Sequence, residues 1–304
     1  MDSTDAFVVT GRRTGEVRRW PLPPGEVTVN VEACALCQRD VGIWAGDIPR
    51  KLPEVLGHEV VGTVVDVGDE SPWPVGTRVA GMGNHGLARY MRVPAWQLSP
   101  VPGTGPHLAL VEPLACAVNA CEQDPSKDDS LAVVFGLGLL GQLIAALLAG
   151  RGRPVIGTDS HPDRLELADA AGVHVCEPDS PDLRKAIGEA GAAYECTGGE
   201  DVLWELTMTL PLGAALVLVA HHRAGRRLAA ALLDQWHLRS VNVRNVVPRT
   251  SPDMASCVRA AAELPVDLAR YPIRTGTLAE AGRLLDSWPA GRVMRHVVLV
   301  DQAD

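Results

Sequence analysis

Between residues 27 and 33 apolar and polar side chains alternate, with Val27, Val29, Val31 and Ala33 on one face after the turn at Pro23-Pro24-Gly25. A second alternation, Val61, Thr63, Val65 and Val67, leads into Gly68-Asp69. Short period-two segments between Gly/Pro turns predict a partly open β-barrel for the first hundred residues. From about residue 122 the pattern changes to strands and helices in turn. Strands are expected over 131–135, 154–159, 173–176, 192–196 and 214–220, with helices over 141–150, 162–171, 181–190 and 200–210. That grammar predicts an α/β unit with a parallel, doubly wound sheet. A strand from Ser240 to Val246 and a helix from Pro252 to Glu263 are expected to complete it. The apolar run Val297-Val298-Leu299-Val300 is expected to pair back with the N-terminal part, so residues 1–121 and 266–304 are read as one domain and 122–265 as the other.

Composition narrows the classes. The chain has 304 residues, 46% hydrophobic and 21% charged, enough for two packed cores. A formal charge of −9 offers no basic field for nucleic acid or an anionic membrane, so small-molecule partners are expected. Leu131 to Gly150 is long enough to span a bilayer, but its glycine cluster favours a buried strand, a turn and a buried helix. Seven scattered cysteines and an N-terminus without a basic, then apolar, leader predict a cytoplasmic protein with reduced thiols.

The glycine cluster carries the first chemistry. Gly136-Leu137-Gly138-Leu139-Leu140-Gly141 follows a predicted strand and opens a predicted helix, and Asp159 stands 23 positions after Gly136 at the end of the next strand. This is the dinucleotide-binding pattern: one glycine makes the turn, one admits the pyrophosphate to backbone amides, and one lets helix pack on strand. The Asp159 carboxylate suits the ribose hydroxyls of NAD and repels a 2′-phosphate. Arg164 is expected near the adenosine end; Arg151 and Arg153 are also close in sequence.

Cys37, His58 and Glu112 supply a thiolate, an imidazole and a carboxylate, three donors suited to a zinc ion with one open position. Their separations of 21 and 54 residues do not by themselves show that they meet.

Cys37-Gln38-Arg39-Asp40, Leu56-Gly57-His58-Glu59-Val60-Val61-Gly62, Val75-Gly76-Thr77-Arg78-Val79, Glu112-Pro113-Leu114-Ala115-Cys116 and the glycine turn occur in that order. Together they resemble the medium-chain, zinc-dependent alcohol dehydrogenase superfamily, most of all its polyol, sorbitol and threonine dehydrogenase branch, over nearly the whole chain. The resemblance implies a GroES-like barrel domain joined to a Rossmann domain, a cofactor cleft between them, and a homodimer or homotetramer. It implies that Cys37, His58 and Glu112 bind catalytic zinc, with Glu59 an orienting carboxylate or alternate ligand. The reaction implied is NAD-dependent interconversion of a secondary alcohol and a ketone on a small polar substrate such as a polyol, cyclitol, sugar derivative or amino alcohol.

Three departures from the family pattern stand out. Residues 80–85, where a structural-zinc lobe normally carries four cysteines, hold none, so one zinc and no structural zinc are expected. Arg39 occupies the usual Ser/Thr relay position, and Gly42 replaces a frequent histidine, leaving His85 as a weak proton-relay candidate. That loss keeps two other readings open: a redox-neutral lyase or epimerase with tightly held NAD, and a non-catalytic NAD(H)-binding protein. Cys34, Cys116 and Cys121 read as core thiols, and His221-His222 as a polar loop or a substrate contact. Trp44 is a candidate pocket lining, and Arg39, Arg50 and Lys51 a candidate positive patch.

Overall fold

The computed structural model describes residues 2–68, 72–126, 129–220, 230–246, 254–288 and 291–300. Contacts divide the chain into two units, Met1–Ala115 with Pro252–Asp304, and Cys116–Ser251.

The first unit begins with a hairpin, β1 (Ser3–Gly11) and β2 (Thr14–Pro21). It continues through β3 (Val27–Leu36), α1 (Gln38–Trp44), β4 (Glu54–Val55), β5 (Glu59–Val67), β6 (Arg78–Met82), β7 (Tyr90–Val93), β8 (Leu98–Pro100) and the first turn of α2 (Val111–Glu122). β1 lies between β2 and β4, and β3 organises the larger sheet. One edge of β3 pairs antiparallel with β5 along most of its length, while the other takes β7 near its start. Val27, Val29 and Val31 are buried, as their alternation predicts.

β5 departs from the expected alternation. Thr28 pairs with Asp66 and Val29 with Val64, so Val65 is an extra residue in the ladder. This bulge turns Val64 into the core, 0% exposed, and Val65 outward, 37% exposed. Period two cannot announce such a shift, because both residues are valine.

The second unit holds β9 (Ala132–Phe135), α3 (Leu139–Gly150), β10 (Val155–Thr158), α4 (Pro162–Asp169), β11 (His174–Val175), α5 (Pro181–Glu189), β12 (Ala192–Glu195), α6 (Glu200–Thr209), β13 (Ala215–Leu218), α7 (Ala230–Leu238) and β14 (Asn242–Asn245). Its strands form one parallel sheet in the order β11-β10-β9-β12-β13-β14, a Rossmann arrangement. Leu131 to Gly150 resolves into β9 and α3; among the described residues no helix is long and apolar enough to cross a membrane. The pattern reading did not name α7, which the parallel pairing of β13 and β14 requires as a crossover.

The chain then returns to the first unit with α8 (Met254–Glu263), β15 (Ile273–Thr277), α9 (Ala281–Asp286) and β16 (Arg295–Leu299). The helix expected to complete the parallel sheet instead packs on β8 and β6. β16 pairs antiparallel with β3, Val297 against Ala35 and Val298 against Cys34, the return expected from its apolar run.

Arg153 is corrected as well. It precedes β10, whereas Asp159 follows it, so the two lie at opposite ends of the sheet. Its guanidinium is buried and bonds Asp124 at 2.6 Å, Ser126 Oγ at 2.6 Å and the Ser130 carbonyl at 2.9 Å, while Tyr194 donates its hydroxyl to Asp124 at 2.7 Å. Arg151 pairs with Glu122 on the surface. Arg153→Ala should therefore leave Asp124 buried without its cation and lower unfolding stability by about 3–5 kcal/mol, read from the denaturant midpoint. A loss under about 1 kcal/mol would show the clamp to be dispensable.

Candidate functional site

Antiparallel pairing closes the 21-residue gap between Cys37 and His58. Ala35 faces Glu59 across the β3–β5 ladder, so the residues that follow one strand meet those that precede the other. Cys37 caps α1, and His58 follows Gly57, whose φ of +93° and close approach to Cys34 Sγ leave no room for a side chain. The ligand atoms of Cys37, His58 and Glu59 all lie within 4.8 Å of one another.

Two buried groups that the sequence reading missed steady this set. Asp40 accepts the Cys37 N–H at 2.9 Å and the Gly57 N–H at 3.3 Å, and its Oδ1 stands 3.5 Å from His58 Nδ1. Burial works against its charge, but His58 and these donors hold its carboxyl below the usual range. Burial likewise works against a charged His58, yet Asp40 and Cys37 carry its pKa well above the usual imidazole value. Arg295, on β16, donates to Glu59 Oε1 at 3.0 Å, both side chains being buried. The available signals were an aspartate three residues after the cysteine at a strand-to-helix junction, and a lone arginine entering an apolar strand.

Glu112, expected as the third ligand, is buried in the first turn of α2 and electrostatically coupled to Glu59 and Arg295, but stands outside the set of three. The carboxylate inside it is Glu59. Burial raises the Glu59 pKa, Arg295 opposes and Glu112 adds to the rise, leaving it pushed up to about 7. Its Oε2 is buried with no hydrogen-bond partner. A thiol, an imidazole and an orphaned carboxylate oxygen close to two further buried carboxyl groups fit a borderline divalent cation such as zinc.

Arg39 is half-buried on α1 and outside the set. His85 follows β6 with a φ of +64°; its Nδ1 is buried without a partner, and burial holds its pKa down. Trp44 is a core residue: it packs on Phe7 and donates Nε1 to Asp286. Cys34 is buried, its thiol pushed up by burial, and Cys116 and Cys121 are buried and form no disulfide. Arg50 pairs with Glu54 at 3.7 Å. His221 and His222 lie outside the described residues.

In the second unit, Gly136 to Gly141 joins β9 to α3. Gly136 has a φ of +88°, and a Cβ there would stand 2.8 Å from Thr197 Cγ2; a Cβ on Gly141 would collide with the Gly136 carbonyl. A Cβ on Gly138 would meet nothing within 4 Å, so that backbone borders open space. Asp159 follows β10, accepts the Leu137 N–H at 2.8 Å and pairs with Arg164 at 3.2 Å. Glu195, also missed, ends β12 and accepts N–H donors of Thr197 at 2.7 Å and Gly198 at 2.8 Å. β9 and β12 are neighbours at the point where strand order reverses, the place where open α/β sheets bind ligands.

Comparison with known proteins gives the family. Residues 23–103 match the alcohol dehydrogenase GroES-like domain. An L-threonine 3-dehydrogenase of Chelativorans sp. (strain BNC1) is 31% identical over 63% of this chain and 66% of its own length. An alcohol dehydrogenase of Geobacillus stearothermophilus is 24% identical over 93% and 94%. The chain belongs to the medium-chain, zinc-type alcohol dehydrogenases. The fold agrees: L-idonate 5-dehydrogenase from Escherichia coli superposes with a TM-score of 0.84 over 98% of each chain at 20% identity. As a member of this family the protein is an oxidoreductase of the alcohol dehydrogenase type that works with a nicotinamide cofactor.

For such a dehydrogenase the Asp40–His58 contact has a measurable consequence. In the metal-free protein His58 should titrate well above the ordinary imidazole value, and Asp40→Asn should bring it down, as read from histidine C–H resonances. Because the metal must displace that proton, affinity should rise with pH through the His58 titration. The same variant should weaken zinc about 10–100-fold in chelator competition. A His58 titration unmoved by Asp40→Asn would refute the coupling.

Proposed function

We propose that this protein is a zinc- and NAD-dependent dehydrogenase that interconverts a secondary alcohol and a ketone on a small polar substrate. The observation that carries the reading is the convergence of Cys37, His58 and Glu59 ligand atoms within 4.8 Å. Cys37, His58 and Glu59 would hold the ion, with Glu112 beside them as a further carboxylate. When bound, zinc supplies Lewis acidity toward the substrate oxygen. When bound, the nicotinamide supplies the hydride acceptor.

The chain's own residues do the rest. Asp40 holds His58 in orientation, and Arg295 anchors one oxygen of Glu59 while the other is left for a cation. The Gly136–Gly141 turn presents backbone amides and the start of α3 to a pyrophosphate, and Asp159 stands where the adenosine ribose would lie. The Arg39 guanidinium offers only hydrogen-bond donors, which leaves His85 or direct exchange with solvent to take up the alcohol proton. We assign one zinc per chain, because residues 80–85 carry no cysteine.

The relatives' names support the substrate class. L-threonine 3-dehydrogenase and L-idonate 5-dehydrogenase are each named for a small polar molecule with a secondary hydroxyl, and a polyol, cyclitol, sugar derivative or amino alcohol fits the same description. The relatives are named as dehydrogenases, which favours this reading over a redox-neutral lyase or a binding protein. The reading includes a homodimer or homotetramer and a cytoplasmic setting, in keeping with cysteines that form no disulfide.

Elemental analysis of the purified protein tests the metal. About one zinc per chain in wild type, lost in Cys37→Ala, is the expected result. A folded wild type that binds the dinucleotide yet takes up no zinc would overturn the mechanism.

A further inference from the structure

Of the three grouped ligands, His58 and Glu59 are buried and Cys37 is only half-buried, so the set opens to solvent on the Cys37 side. Cys37 caps α1, and Arg39 stands in the first turn of that helix, about 3 Å further along its axis. A helical side chain leaves its Cα tilted toward the N-terminus, which sends the Arg39 stem back toward the Cys37 end. The carboxylate of the next residue, Asp40, is spent on the Cys37 and Gly57 amides and on His58 rather than on Arg39.

The Arg39 guanidinium is unpaired. Among the described residues every other half-buried arginine holds a partner: Arg78 binds Glu32, Arg92 the Thr28 hydroxyl, Arg164 Asp159, Arg239 the Leu210 carbonyl, and Arg270 lies over the Tyr271 ring. Arg39, half-buried as well, makes no hydrogen bond, ion pair or ring contact. Acids are not scarce, since the chain has 37 against 28 lysines and arginines, so the vacancy at Arg39 does not come from a shortage of partners.

A guanidinium has only donors, in a planar fork, and its complement is an oxyanion; a carboxylate meets it with two parallel hydrogen bonds. One unpaired cation balances one negative charge, which favours a carboxylate over a doubly charged phosphate. Arg50 is given to Glu54 and Lys51 is exposed, so neither adds to Arg39. The buried carboxyls Asp40, Glu59 and Glu112 repel an anion that arrives without compensation, and Arg39 supplies it.

We propose that the substrate is a hydroxy acid whose carboxylate binds Arg39 while its secondary hydroxyl lies at the Cys37, His58 and Glu59 set. This narrows the substrate class given above and rests on that reading of the set. Arg39 is then the residue that selects acids over neutral alcohols.

Matched pairs test it. Racemic lactate is compared with racemic propane-1,2-diol, and D-gluconate with D-sorbitol, pairs that exchange a carboxylate for a primary alcohol. Each is titrated by calorimetry into the zinc-loaded, full-length protein with NADH present, a dinucleotide with which an alcohol does not react, so binding is read apart from turnover. In at least one pair the acid should bind about tenfold or more tighter than its neutral partner, and Arg39→Ala should lower that acid-to-neutral ratio by about tenfold or more. Arg39→Lys, which keeps the charge without the fork, should fall between the two. Because the ratio is what is read, a general loss of folding, which weakens both members, does not imitate the result. Neutral members bound as tightly as the acids, or a ratio unmoved by Arg39→Ala, would overturn the proposal. Glycerol 3-phosphate bound more tightly than either acid would overturn the choice of a carboxylate. Zinc and NADH held with no member of either pair bound also overturns it, and leaves the proposed function standing. A wild type that takes up no zinc removes this proposal together with the reading it rests on.

Discussion

Three carboxyl groups, Asp40, Glu59 and Glu112, are buried in one neighbourhood with Arg295 and His58 as the compensating cations. Charge out of water is tolerated only where it is paired and hydrogen-bonded, and here the pairing is incomplete. Asp40 is well provided for, with two backbone donors and an imidazole. Glu59 is not: Arg295 serves one oxygen and nothing serves the other, and burial, with Glu112 nearby, pushes its pKa up to about 7. A site short of positive charge at a thiol and an imidazole is a site prepared for a cation. The barrel, its turns and its strand pairings can be understood as the scaffold that keeps those carboxyls close in spite of their repulsion.

Both candidate sites are built by the same device, a strand end and a glycine whose backbone no other residue would tolerate. Gly57 turns the chain so that His58 faces Cys37, with Cys34 packed where a side chain would sit. Gly136 does the same at the end of β9, with Thr197 of the loop after β12 packed against it. Glu195 then gathers the amides of Thr197 and Gly198, so the loop that fixes Gly136 is itself fixed by a buried carboxylate. A turn supported in this way can offer its amides to a phosphate without first paying the entropy of ordering.

How much of this was legible depended on whether the information was local. The parallel sheet was read nearly strand for strand, because each of its central strands is a short apolar run bounded by a turn and needs no knowledge of its neighbours. The Val65 bulge was not, since it exists only in the pairing of β5 with Thr28 and Val29. Nor was the place of α8, which looks like another helix of the repeating pattern until its packing on β8 is seen. At the site, the motifs named Cys37, His58 and both carboxylates, Glu112 as a ligand and Glu59 as an orienting group or alternate ligand; which carboxylate stands nearest they did not say, and the structure groups Glu59 with Cys37 and His58. That choice turns on side-chain reach from two different elements. Asp40 and Arg295 went unnoticed for the same reason: each is an ordinary charged residue until its partner is in place.

Arg295 shows what this dependence implies for folding. Its bond to Glu59 joins residues 236 apart in the chain, with the whole Rossmann unit lying between them in sequence. β16 delivers it by pairing with β3, and β3 is also the strand that delivers Cys37. Until the last strand docks, Glu59 and Glu112 face each other without their cation, and the loop that must close to supply it is among the longest the chain allows. Contacts of such separation form late and slowly. Cys37, His58 and Glu59 all come from the GroES-like segment, but the cation that balances Glu59 comes from the final strand, so the charge balance of the candidate site depends on both ends of the first unit.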